Sequence, residues 1–84
     1  MKRIRFSKHA LGYAASRGFT VAEVEDAIRT CAWGAAELGR LDCRKGIAFG
    51  REWNGKVYAN KQVRPIFVER AEEIVVVTVY TYYF

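Results

Sequence analysis

Thr20 is followed three residues later by Glu23, and Val21, Val24, Ala27, Ile28 and Cys31 then fall on one stripe of a 3.6-residue period. The spacing predicts an amphipathic helix opened by a capping box, with Glu23, Glu25, Asp26 and Arg29 on its outer face. Phe19, just before the cap, is placed to staple back onto that helix. A helix with one apolar stripe must lie on another apolar surface. After Trp33 the chain turns to short alternating runs separated by turn residues, so that surface is a sheet and the class is α+β.

The remaining elements follow from local chemistry. Ile4 to Phe6 reads as a short strand, and Ser7 as the N-cap of a first helix running to about Arg17. Gly18 ends it, because glycine takes a positive φ without a Cβ clash. Strands are expected over about Glu37 to Asp42, Ile47 to Trp53, Lys56 to Glu69 and Ile74 to Tyr82, with Arg70 to Glu73 a polar loop. Asn54-Gly55 suits a two-residue hairpin turn. Connections this short join antiparallel neighbours. Pro65 lacks a ladder donor and is expected at an edge or a bulge. Ile74 to Val77 and Val79 are apolar on both faces, which predicts a central strand covered on both sides or used in an oligomer contact. Thr78, Tyr80 and Tyr82 share one face where the strand turns polar.

The 84 residues make one domain, 51 % apolar and 14 % aromatic, which is enough for a packed core. Fourteen Lys and Arg against nine Asp and Glu leave +5 and favour anionic partners. Lys2, Arg3, Arg5, Lys8 and Arg17 precede any acid, whereas Glu23, Glu25, Asp26 and Glu37 cluster later, so an anion-facing side is expected opposite an acidic helix. Cys31 and Cys43 are too few for a disulfide scaffold and read as reduced thiols. No signal-peptide pattern follows the basic start, and Ile74 to Val77 is far shorter than the ~20 residues of a membrane helix. The expected setting is the cytoplasm, away from membranes.

His9, the single histidine, recurs with Tyr13 and Arg17 at i, i+4 and i+8 on the first helix. An imidazole, a phenol and a guanidinium in line suit a phosphodiester: one moves a proton while the cation holds phosphate charge. The plainer alternative is a packed His9 and an Arg17 that answers the helix dipole. Cations between Arg40 and Arg70, Lys61 and Arg64 among them, alternate with Phe49, Trp53, Tyr58 and Phe67, as on a sheet face that tracks a phosphate backbone; a solvated polar face is the alternative. No glycine-rich phosphate loop and no carboxylate or Cys/His ligand set is present, so neither metal nor cofactor is expected.

Phe6-Ser7-Lys8-His9-Ala10, then Arg17-Gly18-Phe19-Thr20 leading to Val24, and finally Val75-Val76-Val77-Thr78-Val79-Tyr80 together resemble the bacterial family called domain of unknown function 4258. The resemblance spans nearly the whole chain. It implies the fold of RelE, ParE and BrnT toxins: a strand and two helices packed on a curved antiparallel sheet of about four strands, whose concave face meets RNA. It implies a toxin-type, metal-independent endoribonuclease or an inactive descendant of one. It points to His9, Arg17, Thr78 and Tyr80, with Lys61 and Arg64 as phosphate contacts by position only; His9, Arg17 and Tyr80 are the expected catalytic residues, and Thr78, Lys61 and Arg64, together with Tyr13 from the helical row, the expected RNA contacts. The implied partners are RNA, ribosome-associated RNA included, and a helix-turn-helix antitoxin. Tyr13 departs from the pattern, since many members carry a long polar residue, often arginine, four positions after the histidine. That departure keeps open a non-catalytic module that binds protein or nucleic acid through the same sheet. A homodimer through the edge of the last strand is a further expectation.

Overall fold

The computed structural model describes residues 2–84. In chain order the elements are β1 (Arg3–Phe6), α1 (Lys8–Gly12), α2 (Ala14–Arg17), α3 (Val21–Thr30), β2 (Gly34–Ala35), a 3-10 turn at Glu37–Gly39, β3 (Leu41–Asp42), β4 (Lys45–Trp53), β5 (Lys56–Glu69) and β6 (Glu73–Tyr83). Ser7 caps α1 as expected, its hydroxyl accepting from the Ala10 amide at 3.0 Å. The first helix is broken at Tyr13, where φ −97° and ψ −1° divide it into α1 and α2. Gly18 ends α2 in the left-handed region, and both halves of the Thr20–Glu23 capping box form.

Among the described residues, six strands form one mixed sheet in the order β1-β6-β5-β3-β2, with β4 pairing the first half of β5. The expectation of about four strands, all antiparallel, is corrected in two places. β1 runs parallel to β6, Arg3 facing Glu73 and Phe6 facing Val76. Three helices and the rest of the sheet lie between these two strands in sequence, so the short-connection rule does not reach them. The expected strand Glu37 to Asp42 survives only as β3, because Leu38 and Gly39 both take positive φ. Asn54 and Gly55, at φ 51° and 86°, make the expected tight hairpin.

β6 is central, between β1 and β5, so the free edge that a second copy was expected to use is occupied by β1 along Glu73 to Val76. Its unusual apolar run has a geometric cause. Phe67 pairs with Val76 and Ile66 with Thr78, which leaves Val77 as an extra residue in β6. The bulge shifts the alternation by one, so Ile74 and Val76 face the same way as Val79. Pro65 is not on an edge. It pairs with Val79 inside the sheet, one residue from this shift and at the seam where β5 changes partner from β4 to β3.

The helices cover one face of the sheet, α3 on β5 and α1 on β6. Val24, Ala27 and Ile28 of α3 meet Val63, Phe67, Ile74, Val76 and Val79 in a core that also holds Ala10, Phe19 and Cys43. Val21 and Cys31 of the predicted stripe stay partly exposed. Among the described residues the opposite face carries no α-helix, only the 3-10 turn at Glu37–Gly39. Alternation along β5 and β6 sets Gln62, Arg64 and Ile66 beside Tyr82, Tyr80 and Thr78 there.

Candidate functional site

The helical side of the site is fixed to the bulge. Ser7 donates its amide to the Val76 carbonyl and its hydroxyl to the Val77 carbonyl, each at 3.0 Å, so α1 starts at a set position beside β6. From there His9, Tyr13 and Arg17 form the predicted row despite the break between α1 and α2. The exposed His9 ring meets the edge of the Tyr13 ring with centroids 4.9 Å apart, and the Arg17 Cζ lies 3.8 Å from the Tyr13 centroid. Arg17 then crosses to β6, where its Nη1 donates to Thr78 Oγ1 at 3.2 Å and to the Val79 carbonyl at 2.8 Å.

The row continues onto the open face. The Arg17 Cζ is 5.2 Å from the Tyr80 centroid, and the Cζ of Arg64, directly across the ladder, is 5.8 Å from it. Tyr80 is thus flanked by two guanidinium groups. Arg17 has no carboxylate within 4 Å among the described residues, whereas Arg64 Nε donates to Asp42 Oδ2 at 2.8 Å. Asp42, and after it the Tyr82 hydroxyl, holds the Arg64 pKa above its ordinary value. A cleft of 240 Å³ opens beside Tyr80, lined by Arg64, Ile66, Thr78 and Tyr82 and closed by residues Ala36 to Leu38 and Arg40.

Arg64, Thr78 and Tyr80 therefore meet in one cleft, with Arg17 and Tyr13 next to it. His9 belongs to the row but does not line the cleft. Lys61 is a correction: it is 2 % exposed on the helical face, where its Nζ donates to the Gly18 carbonyl at 2.9 Å and pairs with Glu23 at 2.8 Å. An ammonium enclosed by those acceptors joins the ends of α2 and α3 to β5 and is not offered to a phosphate. The aromatic face is corrected too. Phe67 is fully buried in the core, whereas half-buried Phe49, Trp53 and Tyr58 gather on Tyr83 at centroid distances of 5.2, 5.0 and 5.6 Å at the hairpin base, with Arg51 over Phe49 and Lys56 over Tyr58.

The charge pattern is also rearranged. Lys45 pairs with Asp26, Lys61 with Glu23 and Arg64 with Asp42, so three of the cations expected on the sheet have carboxylate partners. Glu37 stands at the cleft, apart from the acidic helix. The residues that sequence reasoning missed are Asp42, Ile66 and the Ala36 to Leu38 lip, whereas Arg40 was among the cations expected on the sheet. Tyr82 was foreshadowed, because it shares the two-residue period of Thr78 and Tyr80; Asp42 had no local signal.

Cys43 is buried, and burial pushes its thiol up to about 12, which removes it as a nucleophile at neutral pH. No group of three or more His, Cys, Asp or Glu side chains is placed to hold a metal ion among the described residues. Among the described residues no helix is long and apolar enough to cross a membrane. The fold and site together define an α+β domain with one helix-free sheet face and a row of cations and aromatic rings running onto it. Comparison of the chain with family models, with curated proteins and with solved structures finds no match.

Proposed function

We propose that this chain is a metal-independent endoribonuclease of the RelE-like toxin kind, working in the cytoplasm and held in check by a helix-turn-helix antitoxin. The observation that carries the reading is Tyr80 flanked by Arg17 and Arg64 on the uncovered face, continuous through Tyr13 with the exposed His9. Two guanidinium groups on one ring make a place for a phosphodiester beside a stacked base.

In the proposed reaction the ribose 2′-oxygen attacks the adjacent phosphorus and loses its proton to His9. The P–O5′ bond breaks, and Tyr80 supplies the proton that the departing 5′-oxygen takes up. Arg17 stabilises the charge that builds on the equatorial oxygens. The products are a 2′,3′-cyclic phosphate and a 5′-hydroxyl, so atoms and charge balance without a metal.

The second reading, a binder that does not cut, is favoured by one contact: the Tyr13 ring, at a position where many members of the resembling family carry a long polar residue, often arginine, packs against both His9 and Arg17. Incubation of the purified protein with mixed RNA in chelator decides between them. Turnover that falls sharply in His9→Ala and Arg17→Ala supports the nuclease. Equal turnover in all three proteins, or none at protein excess, overturns it.

A further inference from the structure

We infer that the cleft on the open face is a subsite for one nucleotide, in which Arg64, positioned by Asp42, takes the phosphate and the tyrosine wall receives the base. It rests on the RNA reading above and adds where the nucleotide beside the reacting bond sits. Arg64 enters from the middle of β5, and its side chain is 23 % exposed against 14 % for Asp42. Asp42 engages Nε, so a phosphate would meet the terminal nitrogens of the guanidinium on the side where the Tyr82 hydroxyl also stands.

Asp42 is brought there by two features of the sheet. Its register opposite Ile66 sets it two residues from Arg64 across the ladder. Opposite Asp42 on β2 stands Gly34, where a Cβ would come within 3.2 Å of Oδ1. A largely covered ion pair contributes little net stability compared with apolar residues of similar size. Its presence at the wall of an open cleft is better accounted for by what Arg64 is held ready to bind.

The volume sets the size of the occupant. At 240 Å³ the cleft is below the ~300–1,000 Å³ typical of ligand pockets, which suits a single base and not a dinucleotide. Tyr80 and Tyr82, each 41 % exposed, offer ring surface for stacking, and Ile66 gives an apolar floor. Leu38, 84 % exposed at φ 60°, holds an apolar side chain at the mouth in a conformation that leucine seldom takes. A base reaches such a cleft only when it is unstacked, as in single-stranded RNA.

The test is an NMR titration of the full chain with uridine 3′-monophosphate and, separately, with uridine. Shifts should concentrate on Ile66, Thr78, Tyr80 and Tyr82, and the nucleotide should bind about tenfold more tightly than the nucleoside, the effect of one charge-assisted contact. Asp42→Asn and Arg64→Lys should each reduce that ratio several-fold. Because the ratio is taken within each protein, a loss of folded fraction cancels from it. An unchanged ratio in Asp42→Asn, or shifts that map to the β4–β5 hairpin, overturns the subsite. RNA cleavage with an unmoved ratio removes the subsite and leaves the nuclease; the expected ratios without cleavage do the reverse.

Discussion

The guanidinium of Arg17 lies 3.8 Å from the centre of the Tyr13 ring, one helical turn behind it. The ring holds the cation over the end of α2 while Nη1 reaches the Thr78 hydroxyl and the Val79 carbonyl. The Arg17 carbonyl in turn accepts from the hydroxyls of Thr81 and Tyr83. Arg17 therefore joins α2 to β6 and presents charge to the open face with the same side chain.

Replacing Tyr13 separates ring from hydroxyl. Tyr13→Phe keeps the stacked face and should leave stability within about 0.5 kcal/mol, whereas Tyr13→Leu should lose about 1 kcal/mol. Urea unfolding midpoints check the pair. Equal losses in the two variants would show that the stack on Arg17 contributes nothing.

Gly18 and Gly39 both have positive φ, at 77° and 71°, but only one is crowded. A Cβ at Gly18 would fall 2.2 Å from the Tyr83 hydroxyl and 2.6 Å from the Trp53 ring, while at Gly39 nothing lies within 4 Å. Gly39→Ala should cost about 1 kcal/mol, the backbone strain alone. Gly18→Ala should cost about 3 kcal/mol or more, because the stacked Trp53 and Tyr83 must also move. Thermal unfolding of the two variants measures the difference.

Lys61 and Arg64 should separate in their effects. Lys61→Ala leaves Glu23 without its partner and should lower stability by about 2 kcal/mol, less than a wholly buried pair because Glu23 still reaches water. It should not change the salt dependence of RNA binding. Arg64→Gln should reduce that slope by about one unit. Binding isotherms at several salt concentrations would expose the opposite pattern.

Glu73 ties β1 to β6. The hydrogen bond from Arg5, and then that from Arg3, holds its carboxyl down at about 2 from the ordinary 4.5. The folded value lies below the unfolded one, so this contribution is present above pH 4.5 and is lost as the pH falls toward 2. Stability should fall through that window, and Glu73→Gln should flatten the fall. Unfolding midpoints across the same range test it; parallel slopes in the two proteins would contradict the assignment.

Much of this was legible in the sequence because it is local. The capping box at Thr20, the stop at Gly18, the Asn54-Gly55 turn and the His9, Tyr13, Arg17 spacing each need only a few neighbouring residues, and each forms. Lys61 and Arg64 could have been separated in advance, since residues an odd number apart in a strand face opposite ways. The pairing of β1 with β6 is non-local. The Val77 bulge hid the alternation of the last strand by making two faces look apolar at once. Leu38 at positive φ erased an expected strand with no glycine at that position to announce it, and Asp42 reaches Arg64 only through the pairing of a two-residue strand.

The most direct measurement of the central claim is mass spectrometry of the ends made on a single-stranded RNA in chelator. We expect 2′,3′-cyclic phosphate and 5′-hydroxyl ends from the intact protein, a large loss with His9→Ala, and no cut where a 2′-deoxy residue precedes the bond. Ends bearing a 5′-phosphate, or cutting that ignores the missing 2′-hydroxyl, would contradict the site described around Arg17 and Tyr80.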